Sequence, residues 1–173
     1  MSMSKRLGWL GMLVILVLGA AAPALAGGDK LRATLDGKPI SLDVAATLSC
    51  SDVDYPILTC YRTSGELEVA MAAATSDDLT LSTGLAATTS TGYVIVFEHG
   101  QYAGASMALS QNYTYLGTIG WNDKISSFKS YGASGKFWEN APSGGFIYYF
   151  GPTTWVAYVG DVYNDRFSAF YLN

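Results

Sequence analysis

Asn122-Asp123-Lys124-Ile125-Ser126-Ser127 is a polar loop that turns directly into a strand-like run, Ser126-Ser127-Phe128-Lys129-Ser130-Tyr131. Forty-two positions later the pattern returns as Asn164-Asp165-Arg166-Phe167-Ser168-Ala169, followed by Phe170-Tyr171-Leu172. An Asn-Asp pair tolerates tight turns and offers side-chain oxygens. Within a short span each loop presents carboxylate, amide, hydroxyl and backbone carbonyl oxygens, the donor set that hard cations such as Ca2+ take. One such loop is an ordinary turn. Two in matching contexts mark a duplicated unit.

Working outward, the flanks of the two loops also match, with a repeat of about forty-one residues. The first copy opens with Tyr93-Val94-Ile95-Val96-Phe97, then Glu98-His99-Gly100-Gln101-Tyr102-Ala103-Gly104. The second opens with Lys136-Phe137-Trp138, then Glu139-Asn140-Ala141-Pro142-Ser143-Gly144-Gly145. Both read aromatic, Glu, short loop, and Gly seven residues after the aromatic. A second strand follows (residues 106–110 or 146–150), then a longer connection, then the Asn-Asp loop and a last strand. Phe97 lies twenty-five positions before Asn122, and Trp138 twenty-six before Asn164. Four strands with one long connection is the requirement of a Greek key, and two such units with one apolar face each pack face to face. Composition agrees: all seven Phe and ten of twelve Tyr follow residue 92, in short β-rich runs broken by Gly, Asn, Ser and Pro.

These motifs make residues 92–173 resemble a βγ-crystallin domain of the microbial calcium-binding kind. The family's hairpin pattern, aromatic-x4-aromatic-x-Gly, is met by Phe97, Tyr102 and Gly104. In the second half Trp138 and Gly145 meet it, with Ser143 in place of the second aromatic. The family's calcium signature, Asn/Asp-Asn/Asp-x-x-Ser/Thr-Ser, is met fully by residues 122–127, and by 164–169 except for Ala169 at the last place. The resemblance implies an all-β, βγ-crystallin-like sandwich of two Greek-key motifs; it does not extend into residues 27–90, which read on their own residues as a small disulfide-containing N-terminal extension. It also implies two shared Ca2+ sites. One would use the Glu98 carbonyl, the Lys124 carbonyl, the Ser126 hydroxyl and the Asp165 carboxylate. The other would use the Glu139 carbonyl, the Arg166 carbonyl, the Ser168 hydroxyl and the Asp123 carboxylate. Lys124 and Arg166 would lend only backbone oxygens while their side chains point into water. With one clear carboxylate per site, affinity is expected at roughly 10⁻⁵ to 10⁻³ M.

The rest of the chain reads differently. Residues 1–26 have the form of a secretory signal: Lys5 and Arg6, an apolar run over 7–22, and Ala24-Leu25-Ala26 before Gly27. Its rival is an uncleaved membrane anchor, since residues 7–26 are long enough to span. The formal charge is −4; losing Lys5 and Arg6 leaves eight basic residues against fourteen acidic, or −6. No basic cluster follows residue 6, which argues against nucleic acid as a partner. One His and two Cys are too few for a zinc site of usual composition. In an exported chain Cys50 and Cys60 are expected to pair. The expected organisation is a small region over 27–75 with this disulfide and a short helix, a Ser/Thr-rich linker over 76–91, and the β domain over 92–173. Asp36-Gly37 signals a hairpin between residues 31–35 and 40–42, with Lys38-Pro39 lengthening its loop. Thr63-Ser64-Gly65-Glu66 fits a capping box before a helix over 67–74. Asp52 and Asp54 read as solvated loop acids.

Three other functions compete with ion binding. Some secreted metalloproteinase inhibitors share the crystallin-like fold, and residues 139–144 or 112–117 would be the inhibitory loops. Glu98 and His99 could be imagined as an acid–base pair, but no motif ties a second titratable group to His99, so the chain is not expected to be an enzyme. Tyr113, Tyr115, Tyr148, Tyr149, Trp155 and Tyr158 could bind a polysaccharide if exposed. The expectation is a secreted monomer that binds calcium ions, has no stable membrane association after signal cleavage, and meets an extracellular protein or polysaccharide at most as a further partner.

Overall fold

Residues 93–97 form the strand on which both layers of the molecule are built. In the computed structural model, residues 30–81 and 92–173 are described. The signal sequence read over 1–26, and residues 82–91 of the linker, lie outside them. The strands are β1 (Arg32–Leu35), β2 (Lys38–Ile40), β3 (Ser49–Ser51), β4 (Ile57–Tyr61), β5 (Tyr93–His99), β6 (Ala103–Leu109), β7 (Ser127–Tyr131), β8 (Gly135–Asn140), β9 (Gly144–Phe150), β10 (Trp155–Val156) and β11 (Ala169–Leu172). Two helices, α1 (Leu42–Ala45) and α2 (Ser64–Leu81), interrupt them.

One sheet has eight strands in the order β10-β7-β5-β6-β3-β4-β1-β2, and the other three in the order β11-β8-β9. The two halves exchange segments. β10 of the second half pairs with β7 of the first, and Tyr113 of the first half bridges Phe170 of the second. Between the sheets, the Phe137 ring lies 4.9–5.3 Å from those of Phe128, Phe150, Phe167 and Phe170. Phe128 of the first half thus packs into the ring cluster of the second, and the inner core is shared between them.

Alternation along β5 explains the rest. Val94 and Val96 face this inner core, while Tyr93, Ile95 and Phe97 face outward. All five are buried, because α2 lays Leu67 and Met71 on the outer face. Each buried aliphatic side chain there contributes about 1.5–3 kcal/mol. Lys129 of β7 completes the junction. Its ammonium is 2.7 Å from Glu68 of α2 and lies over the rings of Tyr102, Trp155 and Phe97 at 4.8, 5.1 and 5.7 Å.

The N-terminal extension is therefore continuous with the β domain. β3 adds to β6 in parallel, Cys50 opposite Met107, and carries β4, β1 and β2 with it. Cys50 and Cys60 face one another across the β3–β4 pair and are disulfide-bonded. Several local expectations need correction. The β1–β2 turn is only Asp36-Gly37, both with positive φ (50° and 71°), and Lys38 and Pro39 belong to β2. Proline is tolerated there because β2 is an edge strand. Helix α2 starts at the expected box, with Glu66 N–H donating to Thr63 Oγ1 at 3.2 Å, yet it runs on to Leu81, into the stretch read as linker. Asp52 is no solvated acid. It is 1% exposed, and its carboxylate accepts from Ser110 N–H (2.8 Å), Ser110 Oγ (2.7 Å) and Tyr113 Oη (2.8 Å). Burial pushes its pKa up, with the bonds from Ser110 and Tyr113 acting the other way. Burial first, then the Asp52 charge, pushes the Tyr113 hydroxyl far up.

Candidate metal centre

Each Asn-Asp loop is held by a left-handed Asp, Asp123 at φ 55° and Asp165 at φ 53°. Acidic and amide residues enter that region more readily than bulky ones. In each loop the Asn amide donates to the following carboxylate: Asn122 Nδ2 to Asp123 Oδ2 at 2.5 Å, Asn164 Nδ2 to Asp165 Oδ2 at 2.8 Å. The loops then cross. Asp123 N–H donates to the Phe167 carbonyl at 3.0 Å, and Asp165 N–H to the Ile125 carbonyl at 3.3 Å. Each loop also holds the opening strand of its own half, through Ser126 N–H to Phe97 O (3.0 Å) and Ser168 N–H to Trp138 O (2.9 Å).

The side chains follow this exchange. Ser126 Oγ stands 2.7 Å from the Glu98 carbonyl oxygen and 3.2 Å from Asp165 Oδ1. Ser168 Oγ stands 3.3 Å from Asp123 Oδ1. The hydroxyl of each half thus meets the carboxylate of the other, thirty-nine and forty-five residues away in the chain. Oxygens coordinating one ion at 2.3–2.6 Å sit about 3 Å from each other. In the first set Ser126 Oγ is already spaced in that way from both the Glu98 carbonyl oxygen and Asp165 Oδ1, and the residues fit a hard cation. The oxygens Asn122 Oδ1 and Asn164 Oδ1 add to this: both are buried without a hydrogen-bond partner, one beside each loop. Among the described residues no three His, Cys, Asp or Glu side chains gather as a metal cluster. The donor sets instead pair one carboxylate with hydroxyl and carbonyl oxygens, so they suit neither zinc nor a high-charge site.

Not every residue sits as expected. The Arg166 side chain does not simply reach into water. It pairs with the Glu139 carboxylate, donates to Val162 O at 3.0 Å and lies 5.0 Å over the Phe146 ring. Glu139 also accepts from Phe146 N–H at 3.3 Å. The backbone oxygens of Lys124 and Arg166 stand on the same two loops. Ser127 was missed as a functional residue. Its hydroxyl donates to the His99 carbonyl at 2.6 Å and accepts from Tyr102 N–H at 3.2 Å, closing the first hairpin over the loop. The last Ser of the signature was the available signal. His99 itself is exposed in that hairpin.

The other candidate surfaces are also fixed in place. Tyr171 Oη donates to Pro142 O, and Leu172 N–H to Asn112 Oδ1, both at 2.7 Å, so residues 139–144 and 112–117 are tied to β11. Of the aromatics considered for polysaccharide, Tyr113 is buried and Tyr148 half-buried, while Tyr115, Tyr149, Trp155 and Tyr158 are exposed.

No family model and no curated protein matches the sequence. Among solved structures, the chain is similar to a βγ-crystallin from an archaeon, at 28% identity and TM-score 0.44, over 48% of this chain and 99% of that one. It is also similar to a double-mutant βγ-crystallin domain from Clostridium beijerinckii, at 32% identity and TM-score 0.43, over 47% of this chain and 97% of that one.

Proposed function

We propose that residues 92–173 form a βγ-crystallin-like domain and that the chain is a secreted, non-enzymatic calcium-binding protein whose ions tie its two halves together. The observation that carries this reading is the exchanged contact, Ser126 with Asp165 and Ser168 with Asp123. One ion would be held by Ser126 Oγ, Asp165 and the carbonyls of Glu98 and Lys124. The other would be held by Ser168 Oγ, Asp123 and the carbonyls of Glu139 and Arg166. Bound Ca2+ supplies positive charge to which oxygens of both halves are drawn.

The chain's own residues perform the rest. Asp123 and Asp165 hold their backbones in the left-handed turn that aims each carboxylate across the seam. The Ser126 hydroxyl donates to the Glu98 carbonyl and Asp165, and that of Ser168 to Asp123; with their protons turned away, the same oxygens would serve a cation as ligands. Each loop anchors its own opening strand, so an ion shared between loops restrains both sheets at once.

A ligand that binds only the folded state, present at about a hundred times its dissociation constant, stabilises by about 2.7 kcal/mol. For a chain of this size that raises the melting midpoint by about 5–10 °C. The measurement is a thermal melt in millimolar calcium against a chelator. Coincident midpoints would sink the proposal.

A further inference from the structure

We infer that the two ion sites are unequal: the Ser126 site is the stronger, and the residue after each ligating serine, Ser127 or Ala169, sets the difference. This rests on the calcium-binding reading above and concerns residues that touch no ion.

The first site's carbonyl ligand belongs to Glu98, on the opening arm of a hairpin with two consecutive left-handed residues, Gln101 (φ 58°) and Tyr102 (φ 59°). Such a turn keeps its shape only if surrounding bonds hold it. Ser127 supplies two of them from beneath, one to the His99 carbonyl and one from Tyr102 N–H. Ser127 is fully buried, so its hydroxyl has no water to turn to. The Glu98 carbonyl is thereby presented to Ser126 Oγ at 2.7 Å before any ion arrives.

In the second half Ala169 occupies the matching place and has no hydroxyl to give. The Glu139 hairpin is instead tied at its tip, by Tyr171 to Pro142 O, and beyond it, by Phe146 N–H to the Glu139 carboxylate. Neither bond acts on the residue next to the ligand carbonyl. Among the described residues Ser168 Oγ is bonded to Asp123, at 3.3 Å, and not to the Glu139 carbonyl. A guanidinium is also parked at this site, since Arg166 is paired with the Glu139 side chain. Its charge is balanced by the Glu139 carboxylate, so the difference between the sites rests on the carbonyls: the first is already engaged by Ser126 Oγ, and the second by no ligating serine hydroxyl among the described residues. Ser127 is thus a positioning residue, acting on the ion through the Glu98 carbonyl, and outer-shell groups of this kind are worth about 10–100-fold in metal affinity.

The experiment titrates the purified protein with calcium alone, by calorimetry for step number and strength and by backbone amide shifts to assign each step to a loop. The wild type should show two steps about tenfold or more apart, with the amides of residues 122–127 shifting in the first. Ser127→Ala should weaken that first step by about tenfold and leave the second unmoved. Ala169→Ser should strengthen the second. Should the added hydroxyl disturb folding in the buried Ala169 position, Ser127→Ala alone decides, with its melting curve in chelator confirming the fold. Two steps of equal strength, or a first step indifferent to Ser127→Ala, would overturn this inference and leave calcium binding standing. Absence of any calcium uptake at millimolar concentration would remove the proposed function and the inference together.

Discussion

The two halves of the β domain keep the same crossed contacts between their loops and differ in what surrounds them. In the first, β6 is paired along its far side by β3, and the outer face of β5 is roofed by α2. In the second, β9 is the last strand of its sheet and Tyr149 on it stands 67% exposed. Yet both loops cross, both anchor their own opening strand, and both send a carboxylate to the other half's serine. Duplication has preserved the seam while the surroundings diverged. What two sites share comes from the seam, and where they differ the cause lies in the neighbourhood of each.

The largest test of this contrast is Leu67→Ala. It should cost about 2–5 kcal/mol in denaturant unfolding, the range for emptying a fully buried leucine site. Amide exchange should quicken in β5 and β6 before β8 and β9. Equal quickening in both sheets would mean the roof serves the whole domain and not the first half.

Next is Asp165→Ala. It should weaken calcium binding at the Ser126 site, in the other half, by about tenfold or more, and spare the Ser168 site. Loss confined to the Ser168 site would show that each loop serves its own ion.

The smallest effect at neutral pH is expected from Asp52→Asn, which probes the bolt between extension and domain. Burial raises the Asp52 pKa in the folded state, so the ionised form is held less favourably than in the unfolded chain. Its contribution is therefore greatest below the ordinary carboxyl value of 3.8 and fades as pH rises through the raised one. Wild type should gain stability relative to Asp52→Asn as pH falls from 7 toward 4, read as the gap between their unfolding midpoints. A gap independent of pH would show that Ser110 and Tyr113 fully offset the burial.

The seam was legible in the sequence because it is local. Six residues specify each loop, eight specify each hairpin, and the repeat fixes their order. The pairing of β3 with β6 was not legible, because Ser49-Cys50-Ser51 is a three-residue strand whose partner lies more than fifty positions away. Asp52 looked solvated for the same reason: its partners, Ser110 and Tyr113, are distant in the chain. The length of α2 was hidden by Thr75-Ser76-Asp77-Asp78, poor helix formers that composition assigns to a linker. One signal was present and unused. Five consecutive apolar residues, 93–97, are too many for a strand with one wet face. They announced that something would cover the outer side of β5. The Arg166–Glu139 pair was not read because its members lie twenty-seven residues apart within the second half.

The ammonium of Lys129 makes the N-terminal region hard to dispense with. Among the described residues Glu68 of α2 is the carboxylate that pairs with this ammonium, which is 14% exposed and lies over three rings. Cutting the chain at residue 92, to isolate a minimal domain, would remove that counter-charge and bare the outer faces of Tyr93, Ile95 and Phe97 at the same stroke. Any trimmed version of this protein should therefore be stickier than the whole, because an apolar sheet face once roofed by the helix would meet water.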